Sequence, residues 1–133
     1  MTVVSSETVP VVSEPDIVAV RRRVREVAAQ LGFSLVDQTK VVTAASELAR
    51  NTLIHGQGGA MELTQLNGPR VGIRLIFEDK GPGIPDIQLA LRDGFTTGSG
   101  LGLGLGGAKR LVNEFEVISR VSEGTKVTVT RWK

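Results

Sequence analysis

The residues from Asp79 to Gly83 are the first candidates for a ligand-binding site. Asp79 ends a strand-like run of alternating apolar and polar residues, and Gly81 and Gly83 follow it directly. A carboxylate at this place can accept a hydrogen bond from an amine, and glycines let a flat ring approach the backbone. Asp is also common in turns. The segment therefore predicts either a site for a flat, amine-bearing ring or an ordinary turn after a strand.

The second candidate is the run from Gly98 to Gly107, in which glycine recurs at nearly every second position. Each glycine costs conformational entropy on folding, so such a run needs a physical reason. Backbone amides that approach an oxyanion ahead of a helix N-terminus would supply one, and a surface loop without a ligand is the alternative. The run also matches the dinucleotide-binding fingerprint formally. Because a Gly- and Thr-containing loop precedes it instead of a strand, that site is not expected.

Glu47 and Asn51 form the third candidate. They lie in residues 35–55, which contain neither Pro nor Gly and therefore predict a helix. Residues four apart share one face of a helix, so the carboxylate and the carboxamide would point the same way, in a row with Thr43 and His55. This row is either part of a site or the solvated face of an amphipathic helix. His55 itself is expected to be an exposed residue at the helix end.

The elements that must position these residues follow from apolar periodicity and from turn signals. Ser13 and Ser34 are the expected N-caps of two helices, and Gly32 is the expected left-handed cap between them. Helices are expected at 15–31, 35–55 and 103–113, a helical turn at 86–93, and strands at 8–12, 61–66, 71–79, 115–121 and 126–132. Hairpins dominate the later part of the chain. This order predicts an α+β fold, a two-layer α/β sandwich whose mixed, mainly antiparallel sheet is covered on one face by helices.

The composition favours a soluble enzyme or binding module. The chain has 133 residues, 41% hydrophobic and 23% charged, which fits one globular domain spanning 1–133. It contains no Cys and one His, so disulfides, a Cys nucleophile and His-rich metal sites are excluded. A formal charge of +2 gives no sign of a nucleic-acid partner, and the Arg-rich segment 21–25 is interpreted as a solvated helix face. Neither a signal peptide nor a membrane span is expected, so the expected location is cytoplasmic.

The candidate segments, taken in order, resemble the nucleotide-binding boxes of the GHKL ATPase and kinase superfamily, whose Bergerat ATP-binding fold is HATPase-like. Residues 47–51 resemble the N box, 79–83 the first glycine box, 100–104 the second and 124–125 the third. The resemblance covers nearly the whole chain. Within the superfamily, residues 46–51 and 78–87 look very similar to the switch serine kinases of the bacterial stressosome, which are related to anti-sigma regulatory factors.

The resemblance implies that ATP is bound with its adenine at Asp79. Asp79 would hold the adenine amine, Thr125 would assist near the ring, and Gly81 and Gly83 would shape the adenine pocket. The second glycine box would line the phosphates with Gly100, Gly102 and Gly104.

The resemblance also implies roles for the N box in phosphoryl transfer. Asn51 would bind Mg2+ through its amide oxygen, and Glu47 would act as the base or orienting group for the incoming serine hydroxyl. Related anti-sigma kinases carry a longer lid with an Arg before the second glycine box, whereas the lid is short and uncharged here. The residue that contacts the γ-phosphate therefore stays open among Lys109, Arg110 and Arg50.

The implied activity is that of an ATP-dependent protein-serine kinase and partner-switching regulator. Its substrate would be a STAS-domain protein of the RsbS or RsbR type. After release from that protein, it would activate an RsbU-like PP2C-type phosphatase or another output protein in a bacterial stress-signalling pathway. No nucleic acid and no membrane are expected as partners, and a weak homodimer is the self-association considered. The alternative is a non-catalytic, nucleotide-dependent binding module of the anti-sigma type that sequesters a partner.

Overall fold

The strands of the described structure pair into an antiparallel sheet. The computed structural model describes residues 2–91 and 103–133. In these ranges the elements are β1 (Thr2–Val11), α1 (Glu14–Gln30), α2 (Leu35–Ile54), β2 (Gly59–Asn67), β3 (Gly72–Asp79), α3 (Ile87–Ala90), α4 (Leu103–Arg110), β4 (Glu114–Arg120) and β5 (Gly124–Trp132). The strand order is β1-β2-β3-β5-β4. The predicted α+β architecture is confirmed, and every described strand pair is antiparallel.

Helix α2 occupies the centre of the helical layer. It contacts α1, α4 and the strands β1, β2 and β3. Its apolar stripe is long because most of its inward positions are Val, Ala or Leu, and α1 presents a matching stripe at helical spacing. The buried residues of α1 are Ile17, Val20, Val24, Val27 and Ala28, and the buried apolar residues of α2 are Val41, Val42, Ala44, Ala45, Leu48 and Ala49. The helix that carries Glu47 and Asn51 is therefore fixed by packing along most of its length.

The ends of α1 and α2 test the capping predictions. Gly32 has φ +87°, the left-handed conformation expected of it. Ser34 Oγ accepts a 3.1 Å hydrogen bond from a backbone N–H in the first turn of α2, as predicted. Ser13 is the N-cap of α1, as predicted, but its side chain makes no capping hydrogen bond in the described structure. Asp16, in the first turn, accepts a 2.9 Å hydrogen bond from the Val12 backbone N–H.

Alternate residues of the strands face the helices, as the pleat of a β-strand requires. Leu63, Leu75 and Phe77 are at most 1% exposed on the inner face, whereas Glu62 and Glu78 are exposed on the outer face. The inner face is therefore the floor of the core, and inner-face polar residues at the ends of strands border the helical layer.

Four inner-face residues form a row across the sheet, which we call the Asp79 row. Asp79 of β3 lies directly opposite Gly59 of β2 on one side and Thr125 of β5 on the other. Thr125 in turn lies opposite Ser119 of β4. The row thus brings together residues that are far apart in the sequence.

The first strand is twice the predicted length. Residues 8–12 were expected to form it, but β1 runs from Thr2 to Val11. A register shift between Val3 and Ser5 interrupts the side-chain alternation. Arg23 anchors the strand to α1, because its guanidinium donates hydrogen bonds of 2.9 and 3.0 Å to the two oxygens of Glu7. Part of the predicted solvated Arg face is therefore engaged with β1.

The described residues that border 92–102 form two short helices. The helical turn predicted at 86–93 is observed as α3, which ends at Ala90. The helix predicted at 103–113 is shorter than expected and ends at Arg110. α4 packs against α2 and α3, with Leu105 and Ala108 at most 2% exposed. Helix α4, which contains Gly104 of the second glycine box, therefore lies next to α2, the helix that carries Asn51.

Candidate functional site

A cleft opens between α2 and the end of the sheet at which β3 stops and β5 begins. Its lining includes Asn51 of α2, Asp79 of β3, Thr125 of β5, Leu105 of α4 and Gly83 in the loop after β3. Residues from three of the segments selected from the sequence therefore border one cleft.

Asp79 is held in the cleft by backbone hydrogen bonds. Its Oδ1 accepts a 2.9 Å hydrogen bond from the Gly81 N–H, and its carboxylate also accepts one from the Thr125 backbone N–H. Burial raises the pKa of Asp79 and the negative charge of Glu78 adds to this, whereas the two backbone hydrogen bonds oppose the shift. Because burial disfavours the charged carboxylate, a ligand group that donates a hydrogen bond to Asp79 would stabilise its charged form.

Glycines surround Asp79 because no larger residue fits there. A Cβ on Gly56 would lie 2.3 Å from the Asp79 Cγ, and a Cβ on Gly124 would lie 2.1 Å from the Asp79 carbonyl oxygen. Gly81 packs against the Gly56 backbone, which an added Cβ would approach to 2.7 Å. Gly83 has φ +79° and borders the cleft. Gly81 thus shapes the loop behind the cleft, and Gly83 contributes to its wall.

Two hydroxyl groups connect Thr125 to the neighbouring strand. Ser119 Oγ and Thr125 Oγ1 lie 2.8 Å apart. Ser119 Oγ also accepts a 2.8 Å hydrogen bond from the Ile84 backbone N–H and lies 3.3 Å from the Gly124 carbonyl oxygen. Ser119 therefore links β4, β5 and the loop that carries Gly83.

Asn51 presents an unsatisfied polar atom at the cleft. Its Nδ2 is buried and has no hydrogen-bond partner among the described residues. A buried amide group without a partner is costly, so it calls for a ligand or water. Rotation of the carboxamide by half a turn would present Oδ1 at the same place, and such an oxygen is a suitable ligand for Mg2+. No cluster of three or more His, Asp or Glu side chains that could hold a metal occurs in the described residues.

Two residues of the predicted helix row differ in their relation to the cleft. Glu47 lies one turn before Asn51 and is half-buried, but it is not among the described residues that line the cavity. His55 was expected to be exposed, and this prediction is wrong: it is half-buried and lines the cleft. His55 follows the last turn of α2, and its N–H donates a 2.9 Å hydrogen bond to the Asn51 carbonyl. His55 keeps helical backbone angles, φ −91° and ψ −32°, so its side chain lies on the same helix face as Asn51.

The second glycine box is only partly described. Gly100 and Gly102 lie outside the described residues. Gly104 is in the first turn of α4, next to Leu105, which lines the cleft. Of the candidate cations, Arg50 and Lys109 are exposed.

Sequence reasoning missed Gly56 and Ser119. Gly56 follows a helix, where a glycine is ordinarily interpreted as a terminator. Ser119 stands in a strand without a neighbouring motif. The alternation of β4 could have assigned Ser119 to the inner face, but only the pairing of β4 with β5 reveals that it contacts Thr125.

Among residues 2–91 and 103–133, no helix combines the length and the apolar character that crossing a bilayer requires.

Comparison with known proteins identifies the family. Residues 36–133 match the family model of histidine kinase-, DNA gyrase B-, and HSP90-like ATPases. The chain is 46% identical over 125 residues to the serine/threonine-protein kinase RsbT of Bacillus subtilis, covering 93% of this chain and 94% of the relative. It is 31% identical over 110 residues to the anti-sigma F factor of a Thermoanaerobacter species, covering 79% and 77% of the two chains.

Solved structures show the same fold at lower identity. The RsbU and RsbW domains of a Mycobacterium tuberculosis protein align with 96% of this chain and with 32% of that chain, at a TM-score of 0.67 and 21% identity. The mycobacterial sensor histidine kinase MprB aligns with 96% of this chain and 97% of its own, at a TM-score of 0.58 and 19% identity. The predicted enzyme class, a protein serine/threonine kinase, agrees with the similarity to the Bacillus subtilis kinase. The chain belongs to the family of histidine kinase-, DNA gyrase B- and HSP90-like ATPases.

Proposed function

We propose that this chain is an ATP-dependent protein serine/threonine kinase that acts as a partner-switching regulator. The observation that carries the proposal is the single cleft bordered by Asn51, Asp79 and Thr125, which come from three separate elements. The 46% identity to a protein kinase over 93% of the chain supports the same activity. In this proposal, residues 1–133 form one catalytic domain.

Adenine recognition is assigned to the Asp79 end of the cleft. Asp79 supplies a half-buried acceptor for an exocyclic amine, and Gly83 leaves room for a planar ring beside it. Leu48, Phe77 and Val127 line the same cavity and would cover the apolar faces of a purine. A hydrogen bond from the amine to a partly desolvated carboxylate is charge-assisted and therefore strong.

Magnesium is assigned to Asn51, whose buried amide lacks a partner in the described structure. When bound, Mg2+ would neutralise charge on the phosphate oxygens. The amide of Asn51 would orient the triphosphate from α2, while Gly100, Gly102 and Gly104 would offer backbone amides to the phosphates. His55 borders the cleft near Asn51 and would limit the entry of water.

Glu47 is assigned to the serine substrate and not to ATP. It lies on the same helix face as Asn51, one turn away, and is half-buried. In the transfer, the serine oxygen forms a bond to the γ-phosphorus as the bond to the bridging oxygen of ADP breaks. Glu47 would orient the serine hydroxyl and accept its proton. Its position outside the lining of the nucleotide cleft is consistent with contact to a second substrate.

The protein substrate is proposed to be a STAS-domain protein of the RsbS or RsbR type. After phosphorylation and release of that protein, the kinase would bind and activate an RsbU-like phosphatase or another output protein. The similarity to RsbT and to an anti-sigma factor supports a switch between protein partners. Because this activity uses ATP, we assign it to the cytoplasm.

Transfer of labelled phosphate tests the proposal. The chain is incubated with γ-labelled ATP, Mg2+ and a purified STAS-domain protein of the RsbS type, and label on serine is measured. The wild-type chain should label the partner, and Glu47→Gln should lower the rate by about 10²–10⁴-fold while it retains ATP binding. Glu62→Gln, which changes an exposed carboxylate on the outer face of the sheet, is the matched control and should behave as wild type.

A second candidate function is a non-catalytic module that sequesters its partner in a nucleotide-dependent manner. One observation favours it: the chain is 31% identical over 110 residues to an anti-sigma F factor. In that case ATP would tighten partner binding without transfer of label, and Glu47→Gln would leave both measurements unchanged. A wild-type chain that binds no ATP in the presence of Mg2+ would refute the kinase.

A further inference from the structure

We propose that Ser119 is a positioning residue that makes Thr125 a hydrogen-bond donor toward the bound purine. The inference rests on the proposed binding of ATP in the cleft. Neither the four nucleotide-binding segments nor the cavity lining includes Ser119, which acts from behind Thr125.

The contacts of Ser119 offer its hydroxyl proton two possible acceptors. A serine hydroxyl has one proton to donate and two lone pairs with which to accept. One lone pair is used by the Ile84 N–H at 2.8 Å. The proton can go to Thr125 Oγ1 at 2.8 Å or to the Gly124 carbonyl oxygen at 3.3 Å. Hydrogen bonds between hydroxyl and oxygen are typically about 2.7–2.8 Å long, so Thr125 is the preferred acceptor.

This preference determines what Thr125 offers to the cleft. If Ser119 donates to Thr125 Oγ1, the proton of Thr125 is free to point into the cavity that Thr125 lines. In the opposite arrangement Thr125 would donate to Ser119, and only its lone pairs would face the ligand. The 2.8 Å separation of the two hydroxyl oxygens fits either arrangement. The first is favoured because in the second the Ser119 proton would have only the Gly124 carbonyl oxygen at 3.3 Å, a longer and weaker hydrogen bond.

A donor at Thr125 beside an acceptor at Asp79 matches adenine and not guanine. The two residues lie directly opposite each other on β3 and β5. Adenine presents an amine donor next to a ring-nitrogen acceptor at N1, whereas guanine presents a carbonyl acceptor next to an N1–H donor. Thr125 can reach N1 directly or through one water. Ser119 therefore contributes to nucleotide selection without contacting the nucleotide.

Ser119 also steadies the wall of the cleft. Its Oγ is the acceptor for the backbone N–H of Ile84, and Ile84 and Gly83 both line the cavity. Removal of the hydroxyl would leave this part-buried N–H without its acceptor. A purely structural role would lower affinity for all nucleotides alike, whereas the proposed role predicts a loss specific to the N1 position.

The test compares ATP with 1-deaza-ATP, in which a C–H group replaces the ring nitrogen N1, and with GTP. Dissociation constants are measured by calorimetry for the full chain with Mg2+. The wild type should bind 1-deaza-ATP about tenfold more weakly than ATP, as expected for one lost hydrogen bond. In Ser119→Ala this difference should shrink to about twofold or less, and the preference for ATP over GTP should fall in parallel.

Two further variants complete the experiment. Ser119→Cys keeps the size but donates a weaker hydrogen bond, so its discrimination should be intermediate, and it serves if Ser119→Ala does not fold. Ser6→Ala is the matched control, because Ser6 Oγ forms a comparable hydroxyl pair with Thr64 at 3.4 Å, with Ser6 on β1 at the far side of the sheet. It should keep the full discrimination.

The outcomes separate the inference from the function on which it rests. If the wild type binds ATP and discriminates against 1-deaza-ATP equally with and without the Ser119 hydroxyl, the inference is overturned and the kinase proposal stands. An equal loss of affinity for ATP and 1-deaza-ATP in Ser119→Ala would also overturn it, in favour of a structural role. If the wild type binds no ATP, both proposals fall.

Discussion

Gly56 lies so close to the Asp79 carboxylate that any side chain at position 56 would overlap it. A Cβ at position 56 would lie 2.3 Å from Asp79 Cγ and 2.4 Å from Oδ2. Gly56 follows α2, and its N–H donates a 3.0 Å hydrogen bond to the Asn51 carbonyl. The end of the helix that carries Asn51 is therefore fixed against the carboxylate assigned to adenine.

The substitution Gly56→Ala tests this contact. The added methyl group must displace the Asp79 carboxylate, so we expect a loss of about 1–3 kcal/mol in the free energy of unfolding and at least tenfold weaker ATP binding. Denaturant unfolding and calorimetry measure the two effects. Gly107→Ala is the control, because beyond its chain neighbours and the backbone of its own helix its Cβ would meet no described atom within 4 Å. This second change, inside α4, should stabilise the chain by about 0.5–1 kcal/mol. Unchanged ATP binding by Gly56→Ala would contradict the assignment.

The substitution Asp79→Asn should weaken ATP binding by about ten- to a hundredfold, the value of a hydrogen bond to a charged group. It should also reduce the preference for ATP over GTP, because an amide can turn either a donor or an acceptor toward the base. Titration calorimetry with both nucleotides measures these effects. Glu62→Gln, on the outer face of the neighbouring strand, is the control and should change neither. If Asp79→Asn keeps wild-type affinity and preference, adenine binds elsewhere.

The raised pKa of Asp79 predicts a pH dependence of stability. An acid whose pKa is higher in the folded than in the unfolded state stabilises the fold below its ordinary pKa of 3.8. That contribution is lost as the pH rises through the folded-state pKa. The free energy of unfolding of the wild type, minus that of Asp79→Asn, should therefore decrease as the pH rises from about 4. Urea unfolding of both proteins, without nucleotide, isolates Asp79 because all other acids are common to the pair. An increase of the difference over this range would contradict the sign.

The substitution Asn51→Ala tests the metal assignment through binding. It should weaken ATP binding in the presence of Mg2+ by about tenfold or more, and it should leave the binding of adenosine without metal nearly unchanged. The unbound chain should lose little stability, because the Asn51 Nδ2 has no partner in the described residues. Thr43→Ala, on the same helix row but exposed, is the control. An equal loss of adenosine binding would assign Asn51 to the purine instead.

The sequence predicts the helices well because their apolar periodicity is strong. Gly32 and Ser34 carry the correct terminal signals, and α1 and α2 begin and end within a few residues of expectation. The length of β1 was missed because most of its residues before Pro10 are exposed, so no apolar alternation marks it. The shift between Val3 and Ser5 removes what pattern there is.

The sequence predicted the part of the site in which neighbouring residues of one segment supply the carboxylate and the glycines together. The segment from Asp79 to Gly83 combines a strand end, a carboxylate and glycines, and it was selected from the sequence. The contact of Gly56 with Asp79 and that of Ser119 with Thr125 depend on which strands and loops meet in space. His55 was expected to be exposed because a helix end is usually solvated, but its helical backbone places it on the same face as Asn51, which borders the cavity.

The Asp79 row has a consequence for folding. Because consecutive residues of a strand point to opposite sides, a slip of one position between β3 and β5 would turn Asp79 or Thr125 toward the solvent side. A mispaired sheet could then retain its strands but not bind nucleotide. Nucleotide would stabilise only the correctly paired sheet. Its binding would therefore favour the native pairing of strands that are far apart in the chain over a slipped pairing.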